Sequence, residues 1–133
     1  MRLTYADAEI ANRIIHHPEI FPMIGNDHTP TDCTTLGNDF LMNPTIWMLH
    51  PTEHALFMLT ARTLTMYECH TMVEPEGRGL AAVKAAREAA KWFFENNETA
   101  EKIITYVPFY NKGAKVFALK VGFLHEGVCT KSI

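Results

Sequence analysis

The chain has 133 residues, 47% of them hydrophobic and 20% charged, with 12 Lys and Arg against 15 Asp and Glu. This is the size and composition of one globular domain able to bury a single core, which excludes a disordered tail, a collagen-like repeat and dependence on disulfide staples. A net charge of −3 provides no global positive field for nucleic acid, and the apolar runs, such as Ile46-Trp47-Met48-Leu49, fall far short of the roughly 20 residues that cross a bilayer. The N-terminus lacks the apolar core and cleavage site of a secretory signal, so a cytoplasmic location is expected. Cys33, Cys69 and Cys129 are odd in number, widely spaced and without a C-x-x-C, the pattern of reduced structural thiols. Charge is uneven along the chain: residues 1–60 carry only Arg2 and Arg13 against Asp7, Glu9, Glu19, Asp27, Asp32, Asp39 and Glu53. A phosphate-bearing ligand therefore sits more comfortably on the second half.

The predicted elements begin with a short strand at Arg2 to Tyr5. A helix capped by Asp7 follows, with Ile10, Ala11, Ile14 and Ile15 on one side, and Pro18 ends it. Pro22 and Gly25 close a second turn, and the Asn-, Asp-, Thr-, Pro- and Gly-rich stretch from Gly25 to Pro44 reads as a loop with one helical turn at most. Thr45 to His50, Leu56 to Ala61 and Met66 to Val73 read as an antiparallel meander. The strongest helix runs from about Gly79 to Asn96, with Leu80, Val83, Ala86, Ala90 and Phe93 or Phe94 as its apolar stripe. Lys102 to Val107 is predicted as a buried strand stopped by Pro108. A helix capped by Asn111 follows, carrying Ala114, Phe117, Ala118 and Val121, with Gly122 as its C′ glycine and Phe123 as the accompanying apolar contact. Leu124 to Thr130 is the last predicted strand. The expected architecture is a single α+β (mixed α/β) domain over residues 1–133.

Two places can carry chemistry. The junction from Thr71 to Ala82 leads from a strand through Gly77, Arg78 and Gly79 into the long helix, whose first N–H groups lack internal partners and carry the positive end of the helix dipole. With Arg78 this is a candidate anion site. On the strand from Met66 to Val73, Glu68 and His70 alternate onto one face beside Met72. A carboxylate next to a histidine suits proton transfer near neutral pH; the same pair also suits a buried polar contact securing the sheet, or a solvated position. No metal site is expected, because neither His16-His17 nor His50 and His54 presents two imidazoles on one helix face.

Two motifs resemble the GNAT superfamily of acetyl-coenzyme A dependent N-acetyltransferases. Val73-x-Pro75-x-x-Arg78-Gly79 is similar to the V-x-P-x-x-R-G that leaves the family's fourth strand for its pyrophosphate loop, Q/R-x-x-G-x-G/A. Asn111-x-x-Ala114-x-x-Phe117-Ala118-x-x-x-Gly122-Phe123 is similar to N-x-x-A-x-x-L-Y-x-x-x-G-F. The chain also looks like GNAT-like proteins of bacteriophage and prophage genomes. The resemblance implies a mostly antiparallel twisted sheet flanked by helices, with splayed fourth and fifth strands that admit the pantetheine arm of coenzyme A. It implies pantetheine contacts near Met72 and Val73. The pyrophosphate would lie on N–H groups of Arg78, Gly79, Leu80, Ala81, Ala82 and Val83, and Asn111 would close over the ligand. Acetyl-coenzyme A would then acylate a primary amine by direct attack, with Glu68 and His70 managing protons.

The chain also departs from the family pattern. Ala118 stands where the family's tyrosine protonates the leaving thiolate. Counted from Arg78, the loop's glycine positions hold Ala81 and Val83; counted from Glu76, small residues return at Gly79 and Ala81 but an acid leads the motif. The Arg78 register keeps the spacing from Val73 and Pro75. These departures leave a second expectation, a binding or assembly module of phage origin with little catalysis. The family's final strand has no counterpart after Leu124 to Thr130, so the incomplete sheet edge is expected to be filled by a partner subunit, as in a homodimer, or by the N-terminal segment, or to be left short and polar.

Overall fold

Alternating apolar residues make the central meander. In a computed structural model describing residues 1–24, 35–108 and 110–127, β1 (Ile46–Thr52), β2 (Ala55–Ala61) and β3 (Met66–Val73) pair antiparallel as predicted. β4 (Lys102–Ile104) joins β3 in parallel, giving one four-stranded sheet in the order β1-β2-β3-β4. The register of β1 shifts between Leu49 and Thr52, where Pro51 has no N–H to give the ladder.

Both faces of the sheet are covered. Met48, Leu56, Met58 and Met72 pack on Ala11, Ile14 and Ile15 of α1 (Ala8–Ile15), with Leu36 and Phe40 of α3 (Leu36–Met42) against the same cluster. α2 (Phe21–Ile24) is a single turn between them. The opposite face sets Leu49, Phe57, Leu59 and Tyr67 against α4 (Leu80–Asn96), with Phe117 and Val121 of α5 (Lys112–Val121) beside them. Period-two alternation in the strands sends neighbouring residues to the two different cores.

Several expectations are corrected. Arg2 to Tyr5 contributes one bridge, Arg2 to Leu49, rather than a strand. Asp7 does not cap α1: its carboxylate turns back to accept from the Thr4 N–H at 2.8 Å, closing the short turn Tyr5–Asp7. The stretch predicted as a loop contains α3, because Leu36, Phe40 and Leu41 find an apolar partner in α1 that local composition does not announce; residues 25–34 lie outside the described residues. The buried face of α4 is Ala82, Val83, Ala85, Ala86, Ala89 and Phe93. Leu80, assigned to that stripe from the sequence, is 83% exposed, whereas Ala82 and Val83 of the same turn are buried. β4 ends at Ile104, and the Thr105 hydroxyl donates to the Cys69 carbonyl at 3.1 Å instead of the ladder continuing to Val107. Residues 124–127 form no strand, and Val128, Cys129 and Thr130 lie outside the described residues.

α5 follows its sequence signals closely. Asn111 Oδ1 accepts from the Ala114 N–H at 3.0 Å, Gly122 takes φ +121°, and the Phe123 N–H reaches back to the Ala118 carbonyl at 3.0 Å. This is the bond that ends a helix in a left-handed residue.

Candidate active site

The site is organised by β3. At the two ends of the β2–β3 ladder the Arg62 N–H donates to the Met66 carbonyl and the Glu74 N–H to the His54 carbonyl, both at 2.9 Å. Because an antiparallel ladder alternates, the even-numbered residues of β3 direct their backbone groups to β2, and Cys69, Thr71 and Val73 direct theirs toward β4. The parallel ladder, however, stops where Glu68 faces Ile104. Beyond it β3 and residues 105–108 share no ladder, leaving the backbone of Thr71 and Val73 facing an opening, with the Val73 carbonyl accepting from Arg78 Nε at 3.4 Å. Met72 does not line that opening. Its backbone belongs to the β2 side, and its side chain is buried in the α1 core.

Glu68 and His70 lie together as the alternation requires, with His70 Nε2 3.0 Å from Glu68 Oε2. The structure adds a residue that sequence reasoning missed. Arg62 donates from Nε to Glu68 Oε1 at 2.7 Å, so a carboxylate only 7% exposed has its charge compensated. No motif marks Arg62; it reaches Glu68 across the β2–β3 hairpin. His70 is half-buried, two residues along β3 from the end of the parallel ladder. Between them, Cys69 is pushed up to about 12, mainly by burial and with Glu68 adding to the rise, while a hydrogen bond from Thr71 opposes it. Its thiol is held protonated.

At the end of β3 the chain makes a tight turn, Pro75–Gly77, and enters α4 through Gly79 at φ +97°. A Cβ at Gly79 would meet nothing within 4 Å, so the backbone there is open to a ligand. The set of free N–H groups is narrower than the Arg78 to Val83 run. Arg78 N–H donates to Pro75 O, and the Ala82 and Val83 N–H groups both donate to Gly79 O. Gly79, Leu80 and Ala81 precede these first intrahelical donors. The Val83 side chain turns into the core, 7% exposed, and does not block the approach. The Arg78 guanidinium is half-exposed, 3.9 Å from Glu19, a loose pair of small energetic weight. Asn111 sits at the start of α5 with its side-chain oxygen committed to the cap.

Beside this turn lies a second polar group with no signal in the sequence. Glu74 Oε1 accepts from Arg13 Nη1 at 3.0 Å and lies 3.1 Å from His54 Nδ1. Among the described residues, His17, Glu74 and Glu76 also bring one possible ligand atom each to within 4.8 Å of one another. The described helices include none long and apolar enough to cross a membrane.

No protein-family model matches the sequence, and no curated protein does. Solved structures do. An aminoglycoside acetyltransferase from an uncultured soil metagenomic sample, in complex with sisomicin, superposes with a TM-score of 0.73 at 12% identity, over 100% of this chain and 93% of that one. The chain has a GNAT fold. A variant of the spermidine N-acetyltransferase of Vibrio cholerae matches with a TM-score of 0.67 at 15% identity, over 96% of this chain and 80% of the other. A ribosomal-protein-alanine N-acetyltransferase from Brucella melitensis matches at 0.69 and 10% identity, over 100% and 96%. In this chain the opening lies between β3 and the segment after β4, and the Gly79–Ala81 backbone follows the exit turn of β3.

Proposed function

We propose that the chain is an N-acetyltransferase that moves the acetyl group of acetyl-coenzyme A directly onto a primary amine. The observation that carries this reading is the end of the β3–β4 ladder at Glu68 and Ile104, beyond which β3 backbone outside any ladder, the Glu68–His70 pair and the free N–H groups before α4 follow one another along one strand and its exit turn. Thr71 and Val73 would pair with the pantetheine amides, and Gly79, Leu80 and Ala81 with the pyrophosphate, Arg78 adding charge. Bound there, acetyl-coenzyme A supplies an activated thioester.

The acceptor must lose a proton to attack. Glu68 at Nε2 favours the tautomer with the proton on that nitrogen, leaving His70 Nδ1 as the lone pair that accepts it. Glu68, already held by Arg62, orients the ring rather than acting as the base. As nitrogen bonds to the acetyl carbon, the carbon–sulfur bond breaks and the thiolate takes a proton from water. A backbone N–H at the opening can meet the developing oxyanion. The protonated Cys69 thiol argues for direct transfer over an acetyl-cysteine intermediate. Spermidine and aminoglycosides, the acceptors of two proteins sharing the fold, are polyamines, and the acidic excess of residues 1–60 suits a cationic acceptor.

One observation favours a binding or assembly module instead. Ala118, where the family's leaving-group acid would stand, is buried and has no proton to give. Calorimetric titration separates the readings. Micromolar binding of acetyl-coenzyme A, abolished by Arg78→Glu, is expected; no binding at millimolar ligand would remove the enzyme. In an acceptor screen, His70→Ala should lose about 100-fold in kcat and Glu68→Gln less, whereas unchanged turnover in both would remove their assignment.

A further inference from the structure

We propose that Glu74 is a positioning residue for the phosphate-binding turn. Locked to α1 by Arg13 and to the β1–β2 turn by His54, it sets the direction in which the Gly79–Ala81 N–H groups face. The inference rests on the acetyl-coenzyme A reading and concerns how that site is held in shape.

A carboxylate 7% exposed immediately before an anion-binding turn is at first sight misplaced, since it would repel a diphosphate and is costly to bury unpaired. Its partners resolve this. Arg13 Nη1 and His54 Nδ1 meet the same oxygen, Oε1, at 3.0 and 3.1 Å, while Arg13 Nη2 donates to the Glu53 carbonyl at 2.7 Å. One guanidinium thus ties α1 both to the β1–β2 turn and to the exit of β3. The backbone repeats the connection. Glu74 N–H donates to the His54 carbonyl and the Gly77 N–H to the Glu74 carbonyl, each at 2.9 Å.

The turn is clamped sterically as well. A Cβ at Gly77 would lie 2.6 Å from the His54 Cβ, so the turn rests directly on His54 with no room for a side chain. Two residues later, Gly79 starts α4. The segment Glu74–Gly77 is therefore held by side-chain charge, backbone bonds and close contact, and the free N–H groups inherit its direction. Pre-set donors bind an anion better than donors that must be ordered on binding. Arg13 has a second effect, neutralising the carboxylate that the diphosphate would otherwise meet.

Titration of each variant with coenzyme A, and with pantetheine, which lacks the diphosphate, tests the proposal. Glu74→Gln should weaken coenzyme A binding roughly tenfold and leave pantetheine binding within twofold. Arg13→Met, which strands the buried charge, should weaken coenzyme A more, and Arg13→Met combined with Glu74→Gln should recover to the level of Glu74→Gln alone. Gly77→Ala, which displaces the turn with Glu74 intact, should show the same diphosphate-selective loss and serves if Glu74→Gln does not fold. Equal losses for both ligands, or additive effects in the double variant, would overturn positioning in favour of plain destabilisation. Unchanged coenzyme A binding in Glu74→Gln would overturn it outright. A wild-type chain that binds no coenzyme A overturns the acetyltransferase reading itself.

Discussion

Cys69 lies on β3, half-buried, where a reactive thiol would offer a covalent route for the acetyl group, and its raised pKa opposes that route. Its folded value, about 12 against an ordinary 9.0, means the folded state favours the neutral thiol. The resulting stability is fully present below pH 9 and is lost as the pH rises toward 12. Iodoacetamide at pH 8 should therefore alkylate the Cys69 peptide more slowly in native protein than in urea, as read by peptide mass spectrometry; equal rates would contradict the raised value. At this scale the sequence is partly legible. Glu68 and His70 follow from strand alternation alone, whereas Arg62 and the Arg13–His54–Glu74 group do not. Arg62 meets Glu68 only once the hairpin register is set, and Arg13 meets Glu74 across 61 positions of chain.

Elements with their own punctuation were readable. α5 has its cap, its apolar spacing and its terminal glycine, all local. Gly122→Ala tests the last of these cleanly: φ is +121° and nothing lies within 4 Å of an added Cβ, so only backbone strain is introduced. A loss of about 1 kcal/mol in urea denaturation is expected, and no loss would mean that the helix end re-forms without a left-handed residue. Where an element depends on a distant partner, local reading falls short. α3 needs the apolar face of α1, and the extent of β4 depends on how far Ile104 and its successors can follow β3. The buried face of α4 keeps Val83, Ala86 and Phe93 of the predicted stripe and adds Ala82, Ala85 and Ala89 in place of Leu80, because small side chains let the helix sit close on the sheet.

For the molecule as a whole, Phe93 joins the elements on one side of the sheet. It is fully buried, with its ring edge-on to Trp47 of β1 at 5.1 Å and Tyr67 of β3 at 4.9 Å. Phe93→Ala should cost about 3–5 kcal/mol, measured by chemical denaturation, while Leu119→Ala on the exposed side of α5 should cost little; similar values for the two would contradict the packing. By itself the sequence determined the meander, α4, α5 and its caps, the shared face of Glu68 and His70, and, through two short motifs, the resemblance to GNAT proteins. These depend on periodicity and on contacts within a few residues. Tertiary structure alone decided where β3 and β4 part, which N–H groups stay free before α4, and which arginine compensates which buried glutamate. Those outcomes are set by strand register and by packing between segments remote in the chain, and neither is encoded in any local pattern.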